Sequence, residues 1–233
     1  MTDVGNRPTL ESITRFTDRF GDDYFAFWCN HAYHICLNTN LHNDPSGAQE
    51  LYDAQHEWLK ERLEYARNEK AERIFLFGHH PWFLYDENEI LEEMTGVNVL
   101  PHRDEYVAVP DKYFSIRHSI RHQVLKLCKE FKVNACFAGH FHQNLISHTS
   151  WGMPMIVTGG ICNYNLESSA KDLSHAENLT EGAGVRIVEV SSARPVSVKN
   201  DTGVDEKKGD ESNGGSSVDE THFVGFTHRY ELV

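Results

Sequence analysis

Two short histidine motifs carry the side chains of this sequence that are best suited to chemistry. One is Gly139-His140-Phe141-His142 and the other is His79-His80-Pro81, and each follows an apolar run. Neutral imidazoles are common metal ligands, and the glycine allows a tight turn before the histidine pair. Histidines two residues apart in such a turn can face either side of a small cluster, which fits a two-metal site. The alternative is that these are structural histidines hydrogen-bonded at loop ends, which is the more frequent role of a single histidine.

The segments before these motifs read as strands of a sheet. Ile74 to Gly78 and Val133 to Ala138 are apolar runs, as expected for strands buried on both faces. Ligands of α/β sheets bind beyond the carboxyl ends of the strands, where the loops converge. Because both motifs stand at such ends, we expect the sheet to bring His79, His140 and His142 together.

The remaining segments complete an alternation of strands and helices. Aromatic runs at residues 24–38 predict a hairpin, and helical spacing from Leu51 to Ala66 predicts a long helix with a capping box at Ser46 and Gln49. Residues 82–112 read as a long surface loop bordering the site. A second helix is predicted over residues 116–131, and further strands over 146–149, 155–158, 185–190 and 223–230.

Composition divides the chain into three parts. Residues 1–199 form the body of one α/β domain, residues 200–220 form a flexible insert, and residues 221–233 supply the domain's final strand. The insert is rich in Gly, Ser, Asp, Glu and Lys, so it has too few apolar side chains to offset the entropy lost on ordering.

Charge and cysteine content restrict the partners and the compartment. The net charge is -13 and no Lys/Arg cluster stands out, which argues against a nucleic-acid or anionic-membrane partner. No apolar run is long enough to span a bilayer, and no signal-peptide pattern is present. The five cysteines are odd in number and show no C-x-x-C spacing, as expected for free thiols in a reducing compartment. The sequence therefore predicts a cytoplasmic protein.

Five segments follow one another in an order that matches a known family. They are Asp3-Val-Gly-Asn-Arg-Pro-Thr9, Gly21-Asp-Asp-Tyr-Phe-Ala-Phe-Trp28, Ala54-Gln-His-Glu-Trp-Leu59, His79-His80-Pro81 and Gly139-His140-Phe141-His142. Together they resemble the calcineurin-like metallophosphoesterase superfamily, and most closely its branch of calcineurin-like phosphoesterase domain-containing proteins, described as serine/threonine phosphatases. The resemblance implies the α/β/β/α two-sheet sandwich of that superfamily.

The resemblance also implies a role for individual residues. His79 and His140 would ligate the second of two divalent metal ions and His142 the first, and Asp3 would orient a catalytic histidine. The metal identity stays open among Mn, Fe, Zn and Mg. The family's Asp-x-His and Gly-Asp-x-x-Asp motifs have no counterpart here, and Met1-Thr2 stands where Asn-His is expected. We therefore expect an N-terminally truncated sandwich that binds metal weakly.

Two functions remain open at this point. The first is metal-dependent hydrolysis of phosphate monoesters, with a phosphoprotein carrying phosphoserine or phosphothreonine as one candidate substrate. The second is a catalytically silent binding or regulatory module, because the upstream motifs that would complete the metal site are absent from this chain.

Other histidines are better explained without a metal. His118 and His122 stand four residues apart on a predicted helix, a spacing that can hold an ion, but an exposed helix face is the simpler interpretation. For His80 a packing role is favoured over a place in the site.

Overall fold

The computed structural model describes residues 7–102, 105–159, 184–190 and 226–232. Asp3 and the insert predicted at residues 200–220 lie outside these ranges. The helices are α1 (Leu10–Phe20), α2 (Thr39–Asn43), α3 (Gln49–Asn68) and α4 (His118–Glu130). The strands are β1 (Phe25–Cys29), β2 (Ala32–Cys36), β3 (Arg73–Phe77), β4 (Val97–His102), β5 (Glu105–Pro110), β6 (Ala135–Ala138), β7 (Leu145–His148), β8 (Pro154–Val157), β9 (Gly184–Val190) and β10 (Phe226–Leu232).

A six-stranded sheet organises the described residues, in the strand order β1-β2-β3-β6-β8-β7. The hairpin of β1 and β2 is antiparallel as predicted, while β2, β3, β6 and β8 run parallel to one another. Parallel neighbours need long crossover connections, and α3 and α4 lie in two of them. The strands predicted before both histidine motifs are therefore confirmed, and β3 and β6 are direct neighbours.

Helices α3 and α4 cover one face of this sheet. Leu59 and Leu63 of α3 and Val124 of α4 are fully buried and pack with Ile74 and Leu76 of β3. Burying a side chain of this size contributes about 1.5–3 kcal/mol relative to exposure. The helix predicted from Leu51 to Ala66 is therefore confirmed, although its first turns bury Tyr52 and Gln55 and leave Ala54 exposed.

Strands β9 and β10 form a second, two-stranded sheet, and β9 lies against the face of the main sheet opposite the helices. Phe75, Phe77 and Phe137 of the main sheet and Val188 and Val190 of β9 line a cavity of about 400 Å³. The predicted α/β class is confirmed, with helices on one face of the main sheet and a further sheet on the other.

The start of α3 differs from the predicted capping box. The helix begins at Gln49, and no side chain caps it. Ser46 instead lies in a 3₁₀ turn, where its backbone N–H (3.0 Å) and its hydroxyl (2.6 Å) both donate to Oδ1 of Asp44. The capping box was wrong because Asp44 takes both donors of Ser46. A capping box occurs at α1, between Thr9 and Ser12.

The segment 82–112 was predicted as a loop, and this prediction was wrong in part. It contains an antiparallel hairpin of β4 and β5. Pro101 and Pro110 suggested a loop, but both strands of a two-stranded ribbon are edge strands, where proline is tolerated. Pro101 pairs with Tyr106, and Pro110 pairs with Val97 as the last residue of β5.

Arg121 of α4 ties this segment to the domain. Its side chain is fully buried, and its guanidinium donates hydrogen bonds to the backbone carbonyls of Glu87, Glu89 and Ile116. The Glu89 carboxylate lies 3.9 Å from the guanidinium. One cation thus satisfies three carbonyls that would otherwise be buried without a donor.

Helix α2 follows β2 directly and inserts His42 into the interior. The His42 ring is fully buried, and its centroid lies 5.3 Å from that of Tyr52 and 5.1 Å from that of Trp82. Burial lowers the pKa of His42 to about 3. The ring is therefore neutral in the folded protein at any pH near neutrality.

In the described part of the chain, no helix combines the length and apolar character that crossing a bilayer requires.

Replacing Arg121 with methionine should destabilise the fold by about 3 kcal/mol or more, because it leaves three buried carbonyls without their donor and removes the cation beside the Glu89 carboxylate. Urea denaturation followed by circular dichroism measures this loss. Lys126→Met is the matched control, since Lys126 is an exposed residue of the same helix. Equal midpoints for the two variants would contradict the anchoring role of Arg121.

Acid should destabilise the protein partly through His42. Below the ordinary histidine pKa of 6.5 the unfolded chain binds a proton at His42, whereas the folded chain does not until about pH 3. The free energy of unfolding should fall by about 1.4 kcal/mol per pH unit in this window because of this one group. His42→Phe should flatten the measured dependence by that amount, and an unchanged slope in this variant would contradict a buried, neutral His42 ring.

Candidate metal centre

Three adjacent strands end at the same edge of the main sheet and carry the candidate site. The Leu37 N–H after β2 donates to the Phe77 carbonyl at 2.8 Å, and the Gly78 N–H after β3 donates to the Phe137 carbonyl at 3.0 Å. The Gly139 N–H after β6 donates to the His79 carbonyl at 3.0 Å. The backbone hydrogen bonds of the sheet therefore continue beyond the ends of β2, β3 and β6. As a result, the residues that follow these three strands lie side by side.

His79 and His140 are in direct contact. Nδ1 of His140 lies 3.1 Å from Nε2 of His79, and the ring centroids are 4.8 Å apart. A metal holds imidazole nitrogens at about 2.0–2.1 Å, so two such ligands of one ion lie about 3 Å from each other. The pair therefore fits a shared divalent ion. Without an ion, the same distance suits a hydrogen bond in which one ring donates to the other.

His80 also lies beside this pair, although a packing role was predicted for it. Its ring centroid is 4.4 Å from that of His140 and 5.0 Å from that of His79, and the side chain is only 3% exposed. One ring nitrogen from each of these three histidines lies within 4.8 Å of the other two. The packing role predicted for His80 is compatible with its burial, but the ring is part of the cluster.

His142 lies close to the cluster without joining the group of three. It is exposed, and burial first and then its charge lower the pKa of His79, while for His140 its charge adds to the effects of burial and of His79. The structure therefore brings two predicted ligands into contact and places the third within electrostatic range, on the solvent side. Because His142 lies to one side of the contact between His79 and His140, its position fits a ligand of a separate ion.

Burial keeps the cluster neutral. Burial first, and then the charge of His79, lower the pKa of His140 to about 4. Burial first, and then the charge of His140, lower the pKa of His80 to about 3. Only the unprotonated nitrogen of an imidazole binds a metal ion. At neutral pH His79 and His140 are therefore in the form that a metal requires.

The turn after β6 is held in an unusual backbone conformation. His140 has φ of 63° and His142 has φ of 62°, both in the left-handed region that is uncommon for residues other than glycine. The Phe141 N–H donates to the Gly139 carbonyl at 2.7 Å within the turn. Such conformations persist only where the surrounding structure imposes them, and they concentrate at functional sites.

The segment 82–112 and the turn that follows it border the site. The Asn98 amide donates to the Phe141 carbonyl at 2.8 Å, and the Gln143 amide donates to Asn98 Oδ1 at 2.7 Å. The rings of Tyr113 and Phe114 each lie 5.4 Å from His140 between centroids. The predicted position of this segment beside the site is thus correct, although it is not a simple loop.

No aspartate or glutamate of the described ranges joins the three-histidine cluster. Asp3, the carboxylate expected to orient a catalytic histidine, lies outside those ranges, so its role stays a prediction. Asp23 lies near the same sheet edge, but its carboxylate accepts a hydrogen bond from the Asn38 amide at 2.7 Å. The described residues therefore supply nitrogen ligands only.

His118 and His122 form the exposed pair expected on α4. Their rings stack with centroids 5.6 Å apart, and neither belongs to a larger group of potential ligands within the described residues. This pair is a suitable internal comparison for the candidate site, because it has the same side chains without the burial.

Comparison with known proteins gives relatives in sequence. The chain is 30% identical over 159 residues to the serine/threonine-protein phosphatase CPPED1 of Danio rerio, covering 68% of this chain and 45% of the relative. It is 31% identical over 159 residues to the protein of the same name from Homo sapiens, covering 68% and 44%. The chain thus spans less than half the length of these relatives. No protein-family model matches it.

Among solved structures the similarity is weak. Purple acid phosphatase PPD1 from yellow lupin seeds superposes with a TM-score of 0.48 at 12% identity, covering 70% of this chain and 27% of that one. GAP50, described as the anchor in the inner membrane complex of Plasmodium, gives a TM-score of 0.46 at 16% identity, covering 68% and 42%.

Removing the imidazole ring of His79 or of His140 should weaken metal binding. We expect His79→Ala and His140→Ala each to lower the affinity for Zn²⁺ or Mn²⁺ at least about tenfold, because each loses one of two ligands to the same ion. Isothermal titration calorimetry of the 233-residue chain measures this. His118→Ala is the control, and an equal loss of affinity in it would show that the measured ion binds elsewhere.

Proposed function

Because the chain belongs to the calcineurin-like metallophosphoesterases, we propose that it contributes half of the metal site of an enzyme that hydrolyses phosphate monoesters. The observation that carries this proposal is the contact of two neutral imidazoles, 3.1 Å apart, at the carboxyl ends of adjacent parallel strands. The relatives are named serine/threonine-protein phosphatases, so the proposed substrate class is phosphoserine or phosphothreonine in proteins.

The proposed cofactor is a pair of divalent metal ions. His79 and His140 would hold one ion and His142 the other, and the donor set of neutral imidazoles fits Fe or Zn better than Mn or Mg. When bound, such ions activate a water molecule and stabilise the charge of the phosphoryl group during in-line displacement. The described residues supply only part of the coordination, so tight binding needs carboxylate ligands as well.

The residues around the histidines prepare the site for this chemistry. Burial keeps the His140 ring unprotonated, while a hydrogen bond with the backbone of Tyr113 helps to orient it. A ligand imidazole held by an outer hydrogen bond keeps its direction when the metal binds. Tyr113, Phe114 and Phe141 form an aromatic wall on one side, which limits water there and strengthens electrostatic interactions with a bound phosphoryl group.

The proposed location is the cytoplasm. Cys128 and Cys136 are both buried and free, and the hydrogen bond that the Cys128 thiol donates to Cys136, together with burial, raises the pKa of Cys128. Two neighbouring thiols that stay reduced are in keeping with a reducing compartment. The proposed domain division, with residues 1–199 and 221–233 in one domain and an insert at 200–220, likewise remains a proposal, supported by the pairing of β9 with β10.

A catalytically silent binding module is the second candidate. The observation that favours it is the composition of the cluster, in which the described residues provide imidazoles and no carboxylate. Two divalent ions held without negative ligands repel each other, so the site of this chain alone would be poorly occupied.

Turnover of a phosphorylated substrate separates the two candidates. We expect the 233-residue chain alone to hydrolyse p-nitrophenyl phosphate and a phosphoserine peptide negligibly in the presence of Mn²⁺. A product extended by upstream coding sequence containing Asp-x-His and Gly-Asp-x-x-Asp should hydrolyse both. In that product, His140→Ala should reduce turnover about 10- to 100-fold or more, whereas His118→Ala should not.

The results of this turnover experiment distinguish the hydrolase from the silent binding module. An extended product that binds metal but hydrolyses neither substrate would support the silent module. A 233-residue chain as active as the extended one would show that residues within it complete the site.

A further inference from the structure

Thr39 is a buried residue that joins the end of β2 to the turn after β3. Its side chain is 1% exposed, and its Oγ1 accepts the backbone N–H of His79 at 3.0 Å and that of His80 at 2.9 Å. Its methyl group packs against Gly78, where an added Cβ would lie 2.4 Å from Thr39 Cγ2. The threonine and the histidine turn therefore fit each other through both polar and apolar contacts.

The same hydroxyl also contacts a histidine ring, and a count of its hydrogen bonds decides which partner donates. Oγ1 of Thr39 lies 3.0 Å from Nδ1 of His80. A threonine hydroxyl has two acceptor lone pairs and one proton. Both lone pairs already face backbone N–H groups, so the hydroxyl proton is directed to His80. Nδ1 of His80 is thus an acceptor, and the proton of the neutral ring resides on Nε2.

We propose that Thr39 is a positioning residue that holds His80 as the Nε2–H tautomer, so that His80 is a hydrogen-bond donor beside the metal ligands and not a ligand itself. One nitrogen of His80 is occupied by the threonine proton, and the other carries its own proton. Neither has a lone pair to offer an ion, although the ring lies within 5.0 Å of those of both His79 and His140 between centroids.

A buried N–H donor next to a metal pair suits an oxyanion. His80 is 3% exposed, and a hydrogen bond to a phosphoryl oxygen is stronger in such a low-dielectric position than in water. This role toward the substrate rests on the function proposed above. The tautomer itself does not, because it follows from contacts within the metal-free chain.

The tautomer can be read directly by NMR. In the 233-residue chain labelled with ¹⁵N-histidine and free of metal, two-bond ¹H–¹⁵N correlations distinguish the Nε2–H from the Nδ1–H form, and loss of one signal set in His80→Gln assigns the residue. We expect His80 as the Nε2–H tautomer in the wild type and in Thr39→Ser. Thr39→Val keeps the shape but lacks the hydroxyl, and should give a mixture of tautomers.

Two results would overturn the inference. One is an Nδ1–H tautomer of His80 in the wild type, and the other is a spectrum unchanged by Thr39→Val. Should Thr39→Val fail to fold, the wild-type and Thr39→Ser spectra still decide the tautomer.

Metal titration tests the second half of the inference. His80→Gln keeps an amide N–H near the position of Nε2, so we expect its affinity for Zn²⁺ to stay within about threefold of the wild type, whereas His79→Gln should lose at least about tenfold. An equal loss in both variants would make His80 a ligand and reject the inference. Neither the NMR measurement nor the metal titration involves turnover. A negative result in either would therefore not contradict the proposed hydrolysis, and absence of hydrolysis would not contradict the assigned tautomer.

Discussion

The parallel register of β2, β3 and β6 is the constraint on which the candidate site depends. Each of these strands ends at the same level, and backbone hydrogen bonds after the strands join Leu37 to Phe77, Gly78 to Phe137 and Gly139 to His79. A shift of one residue in any pairing would exchange the two faces of a strand and carry its histidines away from those of its neighbour. The buried side chains under α3 and α4 fix that register, so the packing of the core also determines the distance between His79 and His140.

Burial then determines what these side chains can do. An exposed pair such as His118 and His122 has the same rings at a similar separation, yet it lies on a solvated helix face. At the sheet edge, desolvation lowers the pKa of both His79 and His140, so the protons that would compete with a metal ion are already disfavoured. The aromatic rings of Tyr113 and Phe114, which contact the His140 ring, contribute to its desolvation.

The sequence predicted those features that short apolar runs and chain order can specify. Such runs predicted strands β3 and β6, whose ends carry His79 and His140, and also the hairpin of β1 and β2. Helical spacing predicted α3. Thr39 was missed, although it follows a predicted strand just as the histidines do, because only the spatial order of the strands shows that β2 ends beside β3. The hairpin of β4 and β5 was missed because its prolines indicate a loop unless the strands are known to be edges. The contribution of Asp3 depends on residues outside the described ranges and stays a prediction.

The left-handed backbone at His140 and His142 implies a conflict between stability and function. Glycine adopts positive φ without the steric penalty that a Cβ carries, so glycine at either position would relieve local strain. A laboratory selection for heat resistance alone would therefore favour losing these imidazoles, whereas a selection that also requires metal binding would keep them. Thermostabilised variants of this protein should accordingly be sought at positions away from the turn after β6, where no such trade-off operates.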